Sequence, residues 1–413
     1  MNGGCTRKPS RASLGTCITD PVAGGRGRLA ARGLVLGLLL VLASGSALAG
    51  AREQAKRIHD RLSGVPPTAA TLDAMAADIS GGNAMAAAFT AMESPSFYNV
   101  TLKNFAAPWT NKAQSVFVPL NDYTATIVGM VRDDVPFNTV LSANILYVGG
   151  PGLGLPAYSM TSNAHYQAMD DQGADLKTGL VQTTQTAVTD LPAAAIAGVL
   201  STRAASEAFF IAGTNRAMFR FTVLNHLCKD LEELKDPSLP VDRIPQDVSR
   251  SPGGDSRVYL NACAGCHTGL DPMTQAFAYY NWDQVAGRLV YTPGQVQPKF
   301  LINADNFKTG YVTQDDHWVN YWRRGQNRVL GWAASGSGSS GSGQGAASLG
   351  AELANSDAFA RCQVQKVFRN VCLRDPANGA DRGQVDTMVS SLRANGFKLK
   401  RTFAEAAVYC KGD

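Results

Sequence analysis

The chain has 413 residues and a formal net charge of +5, from 38 Lys and Arg against 33 Asp and Glu. This excess lies in the first 49 residues, which hold six basic residues and one acidic residue, so the 364 residues after Ala49 carry 32 of each sign. Nothing in this neutral charge balance argues for a nucleic-acid-binding surface, and no nucleic-acid partner is expected.

The N-terminus has the pattern of a secretory signal. A basic region precedes the short apolar run Leu34–Ala43, and Ala47-Leu48-Ala49 is the small-x-small pattern of a cleavage site. The alternative is an uncleaved membrane anchor, but the run is shorter than the about 20 apolar residues that span a bilayer. We expect a signal peptide over 1–49 and a mature chain in the periplasm or beyond, without a transmembrane segment.

Apolar residues recur at helical spacing through most of the mature chain, and strand signals are weak. The spacing predicts a mainly α protein, with its longest helical region over Leu200–Leu234. Shorter helices are predicted on both sides of it, at Arg52–Leu62, Ala69–Ile79, Thr124–Arg132, Asp357–Cys372, Asp381–Ala394 and Thr402–Tyr409.

Changes in composition divide the mature chain into four parts. We predict an N-terminal helical domain over 50–250, a cytochrome c-like haem-binding segment over 251–334 and a C-terminal helical segment over 346–413. The Gly/Ser-rich stretch 335–345 has the composition of a linker or loop because it cannot bury a core.

The motif that carries chemistry is Cys263-Ala264-Gly265-Cys266-His267, the attachment pattern of a c-type haem. Two thiols three residues apart on one helical turn can add to the two vinyl groups of the porphyrin. The next residue, His267, then binds the iron as the proximal ligand. Ala264 and Gly265 are expected to let the backbone lie against the ring. The sequence therefore predicts one covalently bound haem c.

Three rival interpretations of the motif exist. A structural disulfide between Cys263 and Cys266 would not need His267. A thioredoxin-like redox pair would need a surrounding strand-helix-strand pattern, which is missing. A zinc site would need a second Cys or His pair at suitable spacing, and none is nearby.

The sixth ligand of the iron is less constrained. His and Met are the usual partners, which gives a set of candidates: His165, His226, Met273, His317 and Met388. Met273 follows the haem histidine by only six residues, whereas His317 has a fifty-residue span in which the chain can return to the distal face. His317 is therefore the preferred distal ligand, Met273 is its alternative, and an open distal site is the remaining option.

Four further cysteines of the mature chain are expected to form disulfides in an oxidising compartment. If Asp357–Cys372 is one helix, Cys362 and Cys372 lie about 15 Å apart along it. A disulfide needs Cα atoms within about 7 Å, so these two should not pair with each other. Their partners would come from Cys228 and Cys410, with one bridge inside the C-terminal segment and one to the N-terminal domain.

Three stretches resemble the planctomycete-type secreted cytochrome c family. They are Val131–Ala143, the haem motif with Asp271-Pro272 and Trp282-Asp283 after it, and Ala358–Cys362 with Val364 and Lys366. The resemblance implies a large exported chain with a helical region, a haem segment and a C-terminal helical segment. The family often has Met three residues after the haem histidine, where this chain has Leu270. The resemblance therefore carries over Cys263, Cys266 and His267 but no methionine ligand.

These features predict a periplasmic mono-haem cytochrome that transfers single electrons between redox proteins, such as a dehydrogenase and another cytochrome. An electron carrier is preferred to a catalyst. The alternatives are an oxidase- or peroxidase-type enzyme with an open distal site and a structural or assembly subunit that contains haem.

Overall fold

The computed structural model describes residues 49–211, 213–301, 305–334 and 340–412. These residues are mainly helical, as the apolar spacing predicted. The predicted signal peptide lies outside them, apart from Ala49. Among the described residues, no helix combines the length and the apolar character needed to cross a membrane.

The described part of the chain starts with three helices whose limits are set by local capping. They are α1 (Ala51–Ser63), α2 (Ala69–Ser80) and α3 (Ala84–Met92). The side chains of Thr68 and Asn83 accept hydrogen bonds from the third residue after them, which satisfies free N–H groups at the starts of α2 and α3. A π-helical turn over Phe97–Leu102 then leads into α4 (Lys103–Ala106).

The next part alternates short helices with one strand pair. Its elements are α5 (Asp122–Arg132), β1 (Leu146–Gly149), α6 (Ala164–Asp171), α7 (Leu176–Gly179), β2 (Leu180–Thr183), α8 (Gln185–Val188) and α9 (Arg203–Phe209). Strands β1 and β2 are antiparallel, with Leu146 opposite Thr183. Asp122 is buried and accepts hydrogen bonds from the N–H groups of Arg203 and Ala204, so one carboxylate caps α9 and joins it to α5.

The prediction of one long helical region over Leu200–Leu234 is wrong in its continuity. Helix α9 ends at Phe209, and α10 (Arg216–Leu227) begins after a break in which Asn215 has a positive φ. Cys228 also has a positive φ, which ends α10 before the 3₁₀ turn Leu231–Leu234. Apolar periodicity persists across these breaks, so periodicity alone did not reveal them.

The predicted haem segment contains two helices and most of the remaining strands. These are α11 (Ser256–Val258), α12 (Ala264–Thr274), β3 (Tyr280–Asp283), β4 (Arg288–Tyr291) and β5 (His317–Val319). Strand β5 pairs with β6 (Ser342–Gln344), which places His317 opposite Gln344. The described end of the Gly/Ser-rich stretch is therefore a strand rather than a free coil, whereas 335–339 lie outside the described residues.

The C-terminal segment contains four helices, α13 (Gly345–Ala354), α14 (Asp357–Cys372), α15 (Gly379–Ala394) and α16 (Leu399–Tyr409). Helix α16 packs against α1 and α3, and α14 packs against α10. One hydrophobic core runs through all three predicted segments, with Ile58, Met273 and Phe403 among its fully buried members. Residues 49–413 accordingly group as one compact unit.

Two disulfides confirm the predicted pairing rule. Cys228 at the end of α10 is bonded to Cys362 within α14, and Cys372 at the end of α14 is bonded to Cys410 just after α16. Cys362 and Cys372 are not paired, because the intact helix α14 holds them apart. The first bridge ties the C-terminal segment to the N-terminal part, and the second closes the C-terminal helices on themselves.

The two bridges should differ in their contribution to stability. The chain-entropy relation gives about 5 kcal/mol for a bridge across 134 residues and about 4 kcal/mol for one across 38 residues. Denaturant unfolding can compare two double variants, Cys228→Ala/Cys362→Ala and Cys372→Ala/Cys410→Ala. The first variant should lose more free energy of unfolding than the second. A larger loss in the second would contradict the entropic account.

Candidate functional site

The haem motif occupies the start of a buried helix. A π-helical turn over Tyr259–Cys263 runs directly into α12, so Cys266 and His267 lie in the first turn of that helix. Cys263 and Cys266 are the cysteines without a disulfide partner among the described residues. The rival interpretation of a Cys263–Cys266 disulfide therefore does not describe this structure.

The motif side chains are the accessible ones on an otherwise buried helix. Every residue of 268–274 is buried, whereas Cys263, Cys266 and His267 are partly exposed. Val258 and Leu260, a few residues before the motif, are also exposed although they are apolar. Two thiols, an imidazole and apolar side chains thus reach the surface along one short stretch of chain.

A buried carboxylate orients the imidazole of His267. Asp271 lies four residues further along α12, so the two side chains are on the same face of the helix. The His267 Nδ1 to Asp271 Oδ2 distance is 2.8 Å, and the Asp271 side chain has 0% exposure. When Nδ1 carries the proton, its N–H donates a hydrogen bond to this carboxylate. The lone pair of Nε2 is then free to bind a metal.

Asp271 is held in turn by Arg216 from α10. The guanidinium donates from Nε to Asp271 Oδ1 at 2.7 Å and makes two further hydrogen bonds, of 3.0 and 3.2 Å, to Asp247. Burial acts to raise the pKa of Asp271, but Arg216 and the hydrogen bond from His267 outweigh burial and lower it. The Asp271 carboxylate is therefore ionised, and both of its oxygens have fixed partners.

An aromatic and apolar cluster lies beside the motif. The ring of Tyr259 is 6.3 Å from the ring of His267, and Ile244, Val248 and Ala264 pack with it. Burial raises the pKa of Tyr259 to about 12, and its buried hydroxyl has no hydrogen-bond partner among the described residues. The cluster thus supplies an apolar wall and one unsatisfied polar group next to the imidazole.

The small residues of the motif do not have the predicted role. A Cβ on Gly265 would lie 2.6 Å from Lys235 Cγ, and Ala264 is buried in the cluster around Tyr259. Gly269, one turn later, packs so closely on Trp322 that a Cβ would lie 1.9 Å from its indole nitrogen. The expectation that Ala264 and Gly265 let the backbone lie against a porphyrin is wrong, because both face protein.

The two distal candidates lie in different surroundings. Met273 belongs to the same helix as His267 and is fully buried in the hydrophobic core. Six residues along an α-helix turn the two side chains roughly 120° apart, so α12 does not bring Met273 opposite His267. His317 begins β5, where its N–H donates to Asp315 and its strand pairs with β6. None of these contacts joins His317 to the motif, and its role as a ligand stays a prediction.

The other three candidates have structural surroundings. His226 is fully buried, with its Nε2 2.7 Å from the hydroxyl of Tyr123. The Nε2 of His165 accepts from the N–H of Gly149, and Met388 is buried on α15.

Sequence reasoning identified the motif but did not assign a role to the residues that orient it. The i+4 spacing between His267 and Asp271 was a local signal for their contact. Arg216 is 55 residues from Asp271 and 31 residues from Asp247, so no local sequence pattern connects these three residues.

No protein-family model, curated protein or solved structure matches this chain. Within the described part of the chain, no group of three or more His, Cys, Asp and Glu side chains is arranged to hold a metal ion. The family resemblance and the haem assignment therefore stay predictions.

Removal of the Arg216 guanidinium should destabilise the fold. Arg216→Met removes the ion-pair partner of the fully buried Asp271. Because the Arg216 side chain is itself 26% exposed, we expect a loss near the lower end of the about 3–5 kcal/mol for breaking a buried pair. Urea unfolding of the purified protein measures this loss. The matched control is Arg257→Met, which removes an exposed ion pair with Asp255 and should leave the midpoint unchanged. Equal urea midpoints for the two variants would contradict a stabilising role of the Arg216 ion pairs.

Proposed function

We propose that this chain is an exported mono-haem c-type cytochrome that transfers single electrons between redox proteins of the periplasm. The observation that carries the proposal is the pair of unpaired thiols and the oriented imidazole on one accessible helical turn. The other four described cysteines are joined in disulfides, so Cys263 and Cys266 are kept apart from the structural bridges.

The donor set has the chemistry that a covalently bound haem requires. Cys263 and Cys266 would hold the porphyrin through two thioether bonds, and Nε2 of His267 would be the proximal ligand. Tyr259 and its apolar neighbours would shield this side from water.

A bound haem supplies a one-electron couple, and the protein supplies its orientation and electrostatic environment. Asp271 keeps the proton of His267 on Nδ1, which leaves Nε2 available as a ligand. Cys263 and Cys266 are partly exposed, so a haem bound to them would have its attachment edge near the surface, where a redox partner could approach. The partner classes remain a dehydrogenase and another cytochrome.

Export agrees with the chemistry of the cysteines. Disulfides persist in oxidising compartments such as the periplasm, and both predicted bridges can form in this fold. We therefore retain the proposal of a signal peptide that is cleaved after Ala49.

Intact-mass spectrometry tests attachment and export together. After expression in a bacterium that matures periplasmic c-type cytochromes, the purified protein should have the mass of residues 50–413 plus one haem. Cys263→Ala/Cys266→Ala should lose the covalent haem because both thioether positions are gone. Cys228→Ala/Cys362→Ala is the matched control and should keep it. A wild-type chain secreted without haem by such a host would refute the proposal.

A reductive titration with and without carbon monoxide tests the role of the haem. A carrier should show a reversible one-electron couple, and its ferrous form should resist carbon monoxide because a protein ligand occupies the distal position. Rapid, tight binding of carbon monoxide would instead favour the enzyme with an open distal site. The absence of a reversible couple would refute electron transfer and favour a structural or assembly subunit.

A further inference from the structure

We propose that Asp271 is a positioning residue that strengthens His267 as an iron ligand and thereby lowers the reduction potential of the haem. This inference rests on the proposed haem attachment. The carboxylate reaches Nδ1 at 2.8 Å from one turn further along the same helix, so the backbone of α12 fixes the contact. Nothing in the haem motif itself specifies this partner.

The physical effect follows from the hydrogen bond. An imidazole that donates its N–H to a carboxylate carries more negative charge on the ring and becomes a more basic ligand. A more basic ligand stabilises the ferric iron more than the ferrous iron, because the ferric form has the higher positive charge. Hydrogen bonding behind the axial ligand is one of the means by which a protein sets the haem potential.

The site holds the Asp271 side chain between two fixed partners. Its Oδ1 accepts from Arg216, its Oδ2 accepts from His267, and the side chain has 0% exposure. Arg216 is itself fixed by two hydrogen bonds to Asp247. Neither carboxylate oxygen can turn away from its partner without leaving a buried charge unsatisfied, so the acceptor at Nδ1 is permanent.

The net charge around His267 does not by itself account for a lowered reduction potential. Arg216 forms ion pairs with both Asp271 and Asp247. Burial lowers the pKa of Arg250, and the two carboxylates partly oppose this lowering. The guanidinium of Arg250 is otherwise engaged with Phe307 at 3.4 Å and with backbone carbonyls. The two cations and two anions are formally balanced, so the inference rests on the directional hydrogen bond to Nδ1.

Two isosteric variants separate the hydrogen bond from the charge. Asp271→Asn and Asp247→Asn each remove one negative charge from the same cluster, but only the first changes the acceptor at Nδ1. Spectroelectrochemical titration of the purified holoproteins gives the potential of each. We expect Asp271→Asn to raise the reduction potential. At a fixed applied potential, the ferric-to-ferrous ratio should fall at least about tenfold, which corresponds to 59 mV for one electron. Asp247→Asn should give a rise several times smaller.

Other outcomes would overturn the inference. An unchanged or lowered potential in Asp271→Asn, or equal rises in the two variants, would show that the carboxylate does not act through His267. A wild-type chain without haem would instead refute the proposed function, so the two failures are distinguishable.

A measurement on the wild-type holoprotein keeps the inference testable if Asp271→Asn does not fold. The proton NMR spectrum of the ferric form should contain a hyperfine-shifted, exchangeable ring N–H signal from the ligating imidazole. Because Asp271 is buried, this proton should exchange slowly with deuterated solvent. Immediate exchange would contradict a permanent hydrogen bond to Asp271.

Discussion

Arg216 holds two carboxylates, Asp271 and Asp247, and through them connects the centre of the fold to the haem motif. It lies in the first turn of α10, the helix that packs against both α12 and α14. The other end of α10 is fixed to α14 by the Cys228–Cys362 bridge. The position of His267 therefore depends on an ion-pair network, a helix pair and a disulfide that belong to three different parts of the chain.

This constraint explains why the haem segment is not a separate module. Helix α12 is packed on Lys235 through Gly265 and on Trp322 through Gly269, and neither site has room for a Cβ. Its inner face joins the hydrophobic core that also contains the N-terminal and C-terminal helices. Only the motif side chains stay accessible. The surrounding helices thus enclose the inner face of the motif helix and leave Cys263, Cys266 and His267 partly exposed.

Local patterns were sufficient to predict much of the secondary structure. The structure has α14 over Asp357–Cys372, as the apolar spacing indicated. The break between α9 and α10 and the end of α10 were missed, because the apolar spacing continues across Asn215 and Cys228, which adopt positive φ values. The strand Ser342–Gln344 was also missed. Its Gly/Ser composition gives no strand signal, and its pairing with β5 depends on a segment about 25 residues earlier in the chain.

The sequence by itself determined the features that depend on short spacing. These are the mainly helical fold, the two thiols and the imidazole on one turn, and the separation of Cys362 from Cys372. Tertiary structure alone decided which cysteines pair and which groups hold Asp271, because these contacts join residues far apart in the chain. The physical reason is that helical spacing is a property of neighbouring residues, whereas a buried ion pair forms only when distant helices pack. The orientation of His267 consequently depends on both, because the helical spacing brings Asp271 to its imidazole and the packing of α10 brings Arg216 to Asp271.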